Sequence, residues 1–254
     1  MRNLHKAYYK DYFRDLDFRF LLNGNENSEN KIEIKRRNQE LTSPNLLKVI
    51  EKNDAVTHSF ELKISYPGLV TGIGINHEAK IEGEFKLGVH FDYSYGMPIV
   101  YGSSVKGVLR TWFKEFFLDK NPEMDAIADR LVKDIFDGTC SNGNKPIYKR
   151  DVFFDAVITQ KDKNGCILSS DSITPHGGPN KDNPLKNPIP ITFMKISSGC
   201  TMEFRFKLVN SVIEYNDKRF EFTAEQKLEL FKTIITTVGI GAKTNVGYGQ
   251  FEDL

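Results

Sequence analysis

The sequence predicts an α+β fold in which strand, helix, two strands, helix and strand follow one another, the βαββαβ order of a ferredoxin-like (RRM-like) core. Three observations predict it. Phe60, Leu62 and Ile64 alternate with Glu61 and Lys63, and Met202, Phe204, Phe206 and Leu208 alternate with Glu203, Arg205 and Lys207, the two-residue period of a strand. Between these strands, Val105, Leu109, Trp112, Phe113, Phe116 and Phe117 form one broad helical stripe. After them, Thr223-Ala-Glu-Gln226 is a capping box opening a helix that Leu228, Phe231, Ile234 or Ile235, and Val238 continue to Gly239.

The remaining elements follow in order. Leu4, Tyr8, Tyr12 or Phe13, Leu16 and Phe20 recur at helical spacing, predicting a helix from Leu4 to Leu22, and the polar run 23–30 predicts a loop. Lys35-Arg36-Arg37 reads as a solvated charged face. Pro67-Gly68 ends the first strand, and Phe85, Leu87, Val89 and Phe91 alternate as a second. Met97 to Tyr101 is a short apolar stretch entering Gly102, with Ser103 and Ser104 as candidate N-caps. A polar helix is expected from Pro122 to Phe136, with strands at Val152 to Ile158 and Cys166 to Ile173. Five prolines and two glycines between Thr174 and Pro190 predict a long irregular loop, and Gly247 to Phe251 leaves a short terminal strand. Residues 1–57 thus form an N-terminal helical extension and 58–254 a ferredoxin-like domain with loop insertions and a glycine-rich loop, expected as a single compact unit.

Composition narrows the function classes. An apolar share of 39% supports a buried core, and a formal charge of +1 argues against a protein that coats nucleic acid by a uniform positive field. Any nucleic acid must be held by local patches. Nineteen Phe and ten Tyr residues are more rings than a core needs, so some are candidate stacking platforms. Cys140, Cys166 and Cys200 lack the short C-x-x-C spacing of a metal or redox site. No signal-like apolar core and no run near the ~20 apolar residues of a membrane span occur, which predicts a soluble cytoplasmic protein.

The run Gly239-Ile-Gly-Ala-Lys-Thr-Asn-Val-Gly-Tyr-Gly249 carries four glycines in the form G-φ-G-x5-G-φ-G, with Lys243 inside the spacer. Backbone freed from Cβ atoms can present N–H groups to phosphates, and Gly239, Gly241, Lys243, Thr244, Asn245, Gly247, Tyr248 and Gly249 are the candidate RNA contacts. A tight crossover from helix to strand is the competing structural reading. A mononucleotide P-loop fails because Ala242 and Thr237 occupy its glycine positions and the run follows a helix. A second candidate patch is Gly102-Ser-Ser-Val-Lys-Gly107, where a helix N-terminus offers free amides to phosphate, with Gly102, Ser103, Ser104, Lys106 and Arg110 as contacts.

A glycine loop of this form, between the last helix and last strand, resembles that of RAMP proteins of CRISPR systems. The segment Gly88 to Arg110 resembles their G-x-P-x-x-x-G-S-S-x-K-G-x-x-R stretch, and Asp171-Ser-Ile-Thr-Pro-His176 is similar to a motif of the sixth-subunit branch of type III-B (Cmr) complexes. The resemblance runs from about Gly68 to Phe251. It implies a non-catalytic subunit of an antiviral RNA-targeting effector that holds the 3′ part of a guide RNA (crRNA). The implied partners are the guide RNA, the guide–target RNA duplex and other Cmr subunits, namely the backbone RAMP, the small helical subunit and the end-capping RAMP. Neither cofactor nor metal is implied.

Some RAMP relatives cut RNA without metal, so His77, Asp92, Asp171 and His176 are alternative catalytic or RNA-contacting residues. His77 or His176 could act near neutral pH in an endoribonuclease that processes CRISPR RNA. Neither has a closely spaced histidine partner, which favours contact over catalysis.

Overall fold

The computed structural model describes residues 3–19, 28–72, 81–85, 88–140, 143–174 and 190–254. In chain order its helices are α1 Leu4–Tyr9, α2 Ser28–Thr42, α3 Gly102–Lys120, α4 Asp125–Val132 and α5 Ala224–Val238. Its strands are β1 His58–Ile64, β2 Ile99–Val100, β3 Thr139–Cys140, β4 Gly143–Asn144, β5 Val152–Phe153, β6 Ala156–Gln160, β7 Leu168–Ile173, β8 Ile191–Ile196, β9 Thr201–Lys207, β10 Ser211–Tyr215, β11 Lys218–Phe222 and β12 Phe251–Glu252.

The main sheet runs in the order β12-β1-β9-β6-β2 with every neighbouring pair antiparallel, and β5 joins β9 beside β6. β1 and β6 are therefore parallel with β9 between them, and α3 lies in their connection. β9 and β12 are parallel with β1 between them, and α5 makes that crossover. The chain is thus a mixed α+β fold with helices packed on one face of an antiparallel sheet.

Rings explain how that face is filled. Phe60 stacks on Phe204 at 5.3 Å, and Phe206 lies 5.6 Å and Phe153 5.8 Å from Phe231 of α5. Phe113 of α3 meets Phe231 and Phe136 edge-on, so the surplus of phenylalanines is largely a single aromatic seam between helices and sheet. The expected capping box opens α5, with Thr223 accepting from the Gln226 amide and Gln226 accepting from that of Thr223.

The opposite face of β9 departs from the sequence reading. Its alternating polar residues Glu203 and Arg205 are only 4% and 5% exposed. Arg205 donates to Glu203 at 2.9 Å and to the carbonyls of Ile50 and Glu51, and Lys52 pairs with Glu203. The segment after α2 therefore covers this face, and a strand that alternates like a solvent-facing one is buried on both sides because its charges are paired.

Local differences have similar causes. The helix expected over Leu4 to Leu22 ends at Tyr9, where the chain turns so that Tyr12 can donate to Asn38 of α2 and accept from the Phe85 amide. Ser28 to Asn30, assigned to a loop, begin α2. Val89 and Phe91 are buried, but Gly88 and Phe91 join their partners only through isolated bridges, and Leu87 lies outside the described residues. The expected Pro122–Phe136 helix is α4 continued by a π-helical turn, Lys133–Asp137. The strand Val152 to Ile158 breaks into β5 and β6, both on β9. β7 leaves the main sheet to pair with β8, which follows the proline-rich stretch and is unmarked in the sequence reading. Residues 175–189 of that stretch lie outside the described residues. Among the described residues no helix is long and apolar enough to cross a membrane.

Candidate nucleic-acid interface

The glycine run is pinned by backbone on backbone. Gly239 ends α5 with φ 74°, its amide donating to the Ile235 carbonyl at 3.0 Å. Ile240 donates to Gly249, Ala242 to Val70 and Gly249 to Gly68, at 2.9, 2.8 and 2.8 Å. A Cβ on Gly249 would stand 1.9 Å from the Ile240 carbonyl oxygen, and one on Gly241 2.5 Å from that of Val70. These glycines are therefore dictated by the loop's contact with itself and with residues 68–70. What the loop presents outward is its crown: Gly241, Ala242, Asn245 and Val246 are exposed, with Thr244–Val246 in a single 3-10 turn. Lys243 enters that turn in the left-handed region at φ 64°.

Beneath the crown the structure joins two residues singled out from sequence. Tyr248 is buried against Phe193, Val70 and Ile173, and its hydroxyl donates to Asp171 Oδ2 at 2.8 Å. Lys195 donates to the same oxygen at 2.5 Å and lies 5.6 Å over the Tyr248 ring. Burial pushes the Asp171 carboxyl up, but the bonds from Lys195 and Tyr248 outweigh it and leave it below its ordinary value. Burial, then Asp171, push the Tyr248 phenol up to about 12. Asp171 thus acts as an acceptor locking the β7–β8 hairpin to the glycine loop. Lys195 and Phe193 escaped sequence reasoning because β8 sits directly behind a proline-rich segment.

The second patch is built differently. α3 begins at Gly102 behind Tyr101, so Ser103 and Ser104 are exposed residues of its first turn and not its caps. The Gly102 amide donates to Asp155 Oδ1 at 2.7 Å, so a carboxylate from the β5–β6 connection already sits at this helix end. A Cβ on Gly102 would lie 2.2 Å from the Phe153 carbonyl oxygen, which is why glycine stands there. Arg110 grips Asp137 with both arms of its guanidinium, and that bond, with smaller contributions from Lys106 and Lys133, holds the Asp137 carboxyl below its ordinary value. Asp92 closes a turn, accepting from the Tyr95 amide at 2.5 Å, and lines a cleft of about 160 Å³ with Asp155 and Arg205. His77 and His176 lie outside the described residues.

The two patches do not form one site. The glycine loop abuts Ile64 and Ser65, at the Thr201 end of β9, because Phe251 pairs with Ile64 and Lys63 with Thr201. Gly102 abuts Phe153, which pairs with Phe206 at the other end. The separation along the strand is about 17 Å, and the loop and β2 lie at opposite sheet edges.

Comparison with known proteins supports the family suggested by the motifs. Residues 61–252 match the RAMP superfamily. The chain is 26% identical over 233 residues to the CRISPR system Cmr subunit Cmr6 of Pyrococcus furiosus, covering 72% of this chain and 64% of that protein. It is 27% identical over 168 residues to the Cmr6 subunit of Saccharolobus solfataricus, covering 66% and 49%. The chain therefore spans less than two thirds of the length of these relatives. Among solved structures, a chain of the type III-B Cmr-beta complex bound to cognate target RNA aligns with a TM-score of 0.50 at 19% identity, covering 76% of this chain and 57% of that one. With a match over three quarters of its length, which takes in the main sheet and the glycine loop, the chain belongs to the RAMP superfamily.

Proposed function

We propose that the protein is a non-catalytic, guide-RNA-binding subunit of a type III-B CRISPR effector complex, holding the 3′ part of the guide through the crown of its glycine loop. The observation that carries this reading is a crown exposed to solvent yet fixed from below by backbone hydrogen bonds and by the Tyr248–Asp171–Lys195 lock. A fixed row of backbone groups beside one lysine suits a phosphate chain held in register without base reading. The β1-α3-β6-β9-α5-β12 connectivity and its strand order support a ferredoxin-like core as the scaffold. Similarity to the Cmr6 proteins supports assembly with other Cmr subunits, here proposed as the backbone RAMP, the small helical subunit and the end-capping RAMP.

The engagement of Asp171 by Lys195 and Tyr248 favours a structural over a cleaving role for that carboxylate. The test is binding of labelled guide RNA across several salt concentrations. Lys243→Ala is expected to weaken binding and to lower the slope of log K against log salt by about one. Equal affinity and slope would overturn the crown as the contact. Guide RNA incubated with the protein in chelator is expected to stay intact, and a defined product would replace this reading with that of an endoribonuclease.

A further inference from the structure

A string of rings lies on the surface beside the start of α3, assembled from three separate parts of the chain. His5 and Tyr9 are neighbours on α1 with ring centroids 4.8 Å apart, and Tyr93 of the turn held by Asp92 meets His5 edge-on at 5.0 Å. His90 lies against Tyr101, the residue preceding α3, at 4.4 Å. Tyr9 also meets Phe91 edge-on at 6.3 Å, and the carbonyl of the adjoining His90 accepts from the Ile99 amide at 2.9 Å, so the two groups are carried by one stretch of chain. Tyr93 is 73% exposed, and Tyr9 and Tyr101 are each 40% exposed.

We infer that Tyr93, His5, Tyr9, Tyr101 and His90 form a stacking surface for unpaired bases of single-stranded RNA, leading into the first turn of α3 at Ser103, Ser104 and Lys106. The exposed members are rings with polar edges and not aliphatic side chains, which suits a base face better than an apolar protein anchor. Cations adjoin the rings in sequence: Lys6 follows His5 in α1 and Lys10, the C-cap of α1, follows Tyr9, both exposed and, among the described residues, in no ion pair. Carboxylates in the same segments are already engaged, Asp92 by the Tyr95 amide, Asp155 by that of Gly102 and Asp11 by Arg14. The patch also gives the N-terminal extension a role, since Asn3 and Leu4 seat α1 on Gly96, where a Cβ would lie 2.4 Å from Asn3 Oδ1.

This inference rests on the proposed RNA-binding function but concerns side chains other than those of the crown, so the two can fail separately. The experiment measures anisotropy of a fluorescein-labelled ten-nucleotide oligouridine and of a blunt RNA duplex with the full chain. Tyr93→Ala and Tyr101→Ala are each expected to weaken single-strand binding roughly tenfold, leaving duplex binding within about twofold, while Tyr93→Phe and Tyr101→Phe keep wild-type affinity. Thermal melting checks that the variants fold, and a 73% exposed Tyr93 leaves no cavity when truncated. Wild-type affinity in both alanine variants, with Lys243→Ala still weakened, would overturn the stacking surface alone and leave the patch to a protein partner. A wild-type chain that binds neither RNA would overturn both readings.

Discussion

At the Thr201 end of β9 the chain closes a loop in which backbone meets backbone, whereas at the Phe206 end it opens a helix whose first amide and first guanidinium are matched by carboxylates. Both segments read in sequence as phosphate grips, with glycines beside a lysine. Their glycines, however, fall into three cases. Gly249 and Gly241 combine positive φ with close backbone approach, Gly102 has only the close approach, and Gly107 inside α3 has neither, since a Cβ there would meet nothing within 4 Å. The lesson is that a glycine motif marks where the chain is crowded as readily as where a ligand comes close, and substitution separates the two.

The largest effect is expected at Gly249→Ala, where a left-handed φ of 69° and a 1.9 Å approach to the Ile240 oxygen act together. A loss of about 3–5 kcal/mol in urea unfolding is expected. A loss below 1 kcal/mol would mean that the crown is not pinned as described. Gly102→Ala should lose less, about 1–3 kcal/mol, because only the contact with Phe153 opposes it.

Tyr248→Phe removes the hydroxyl bound to Asp171 and should lose about 1–2 kcal/mol. It also has a pH signature. The Asp171 carboxyl lies below its ordinary 3.8 in the folded protein, so its contribution is full above that pH and is lost as pH falls through the folded value. Wild type should therefore lose stability on acidification below about pH 4, and Asp171→Asn should lack that component in denaturant titrations across the same range. A wild-type and Asp171→Asn difference that stays constant with pH would remove the lock.

Gly107→Ala carries the smallest change and the opposite sign. An uncrowded glycine at an exposed helical position should yield about 0.5–1 kcal/mol of added stability on replacement. If guide-RNA affinity falls while stability rises, the Gly107 backbone is approached by RNA. If both hold or rise, this glycine is dispensable to the helix and to the ligand.

Much of this was legible in advance, for identifiable reasons. The alternation in β1 and β9 and the capping box at Thr223 are local signals, set by residues within a few positions of each other. β8 was hidden because its strand character follows a proline-rich stretch, and the pairing of β7 away from the main sheet leaves no mark in its own composition. The burial of Glu203 and Arg205 was equally illegible, since alternation reports two faces but not what covers each of them.

The candidate site divides along the same line. Sequence picked out Asp171 and Tyr248 separately, and the fold brought them together by setting the hairpin against the glycine loop, with Lys195 as the unannounced third member. The two glycine-bearing segments, Gly102 to Arg110 and Gly239 to Gly249, are in contrast kept at opposite ends of β9, about 17 Å apart along the strand, by its antiparallel register.

Taken alone, the sequence determined the class of fold, the family motifs and the residues at which backbone freedom is needed, because these depend on neighbours along the chain. Only the tertiary structure decided which charges are already paired, which glycines face protein and which tyrosines gather on the surface, because these depend on strand order and on contacts between residues distant in sequence.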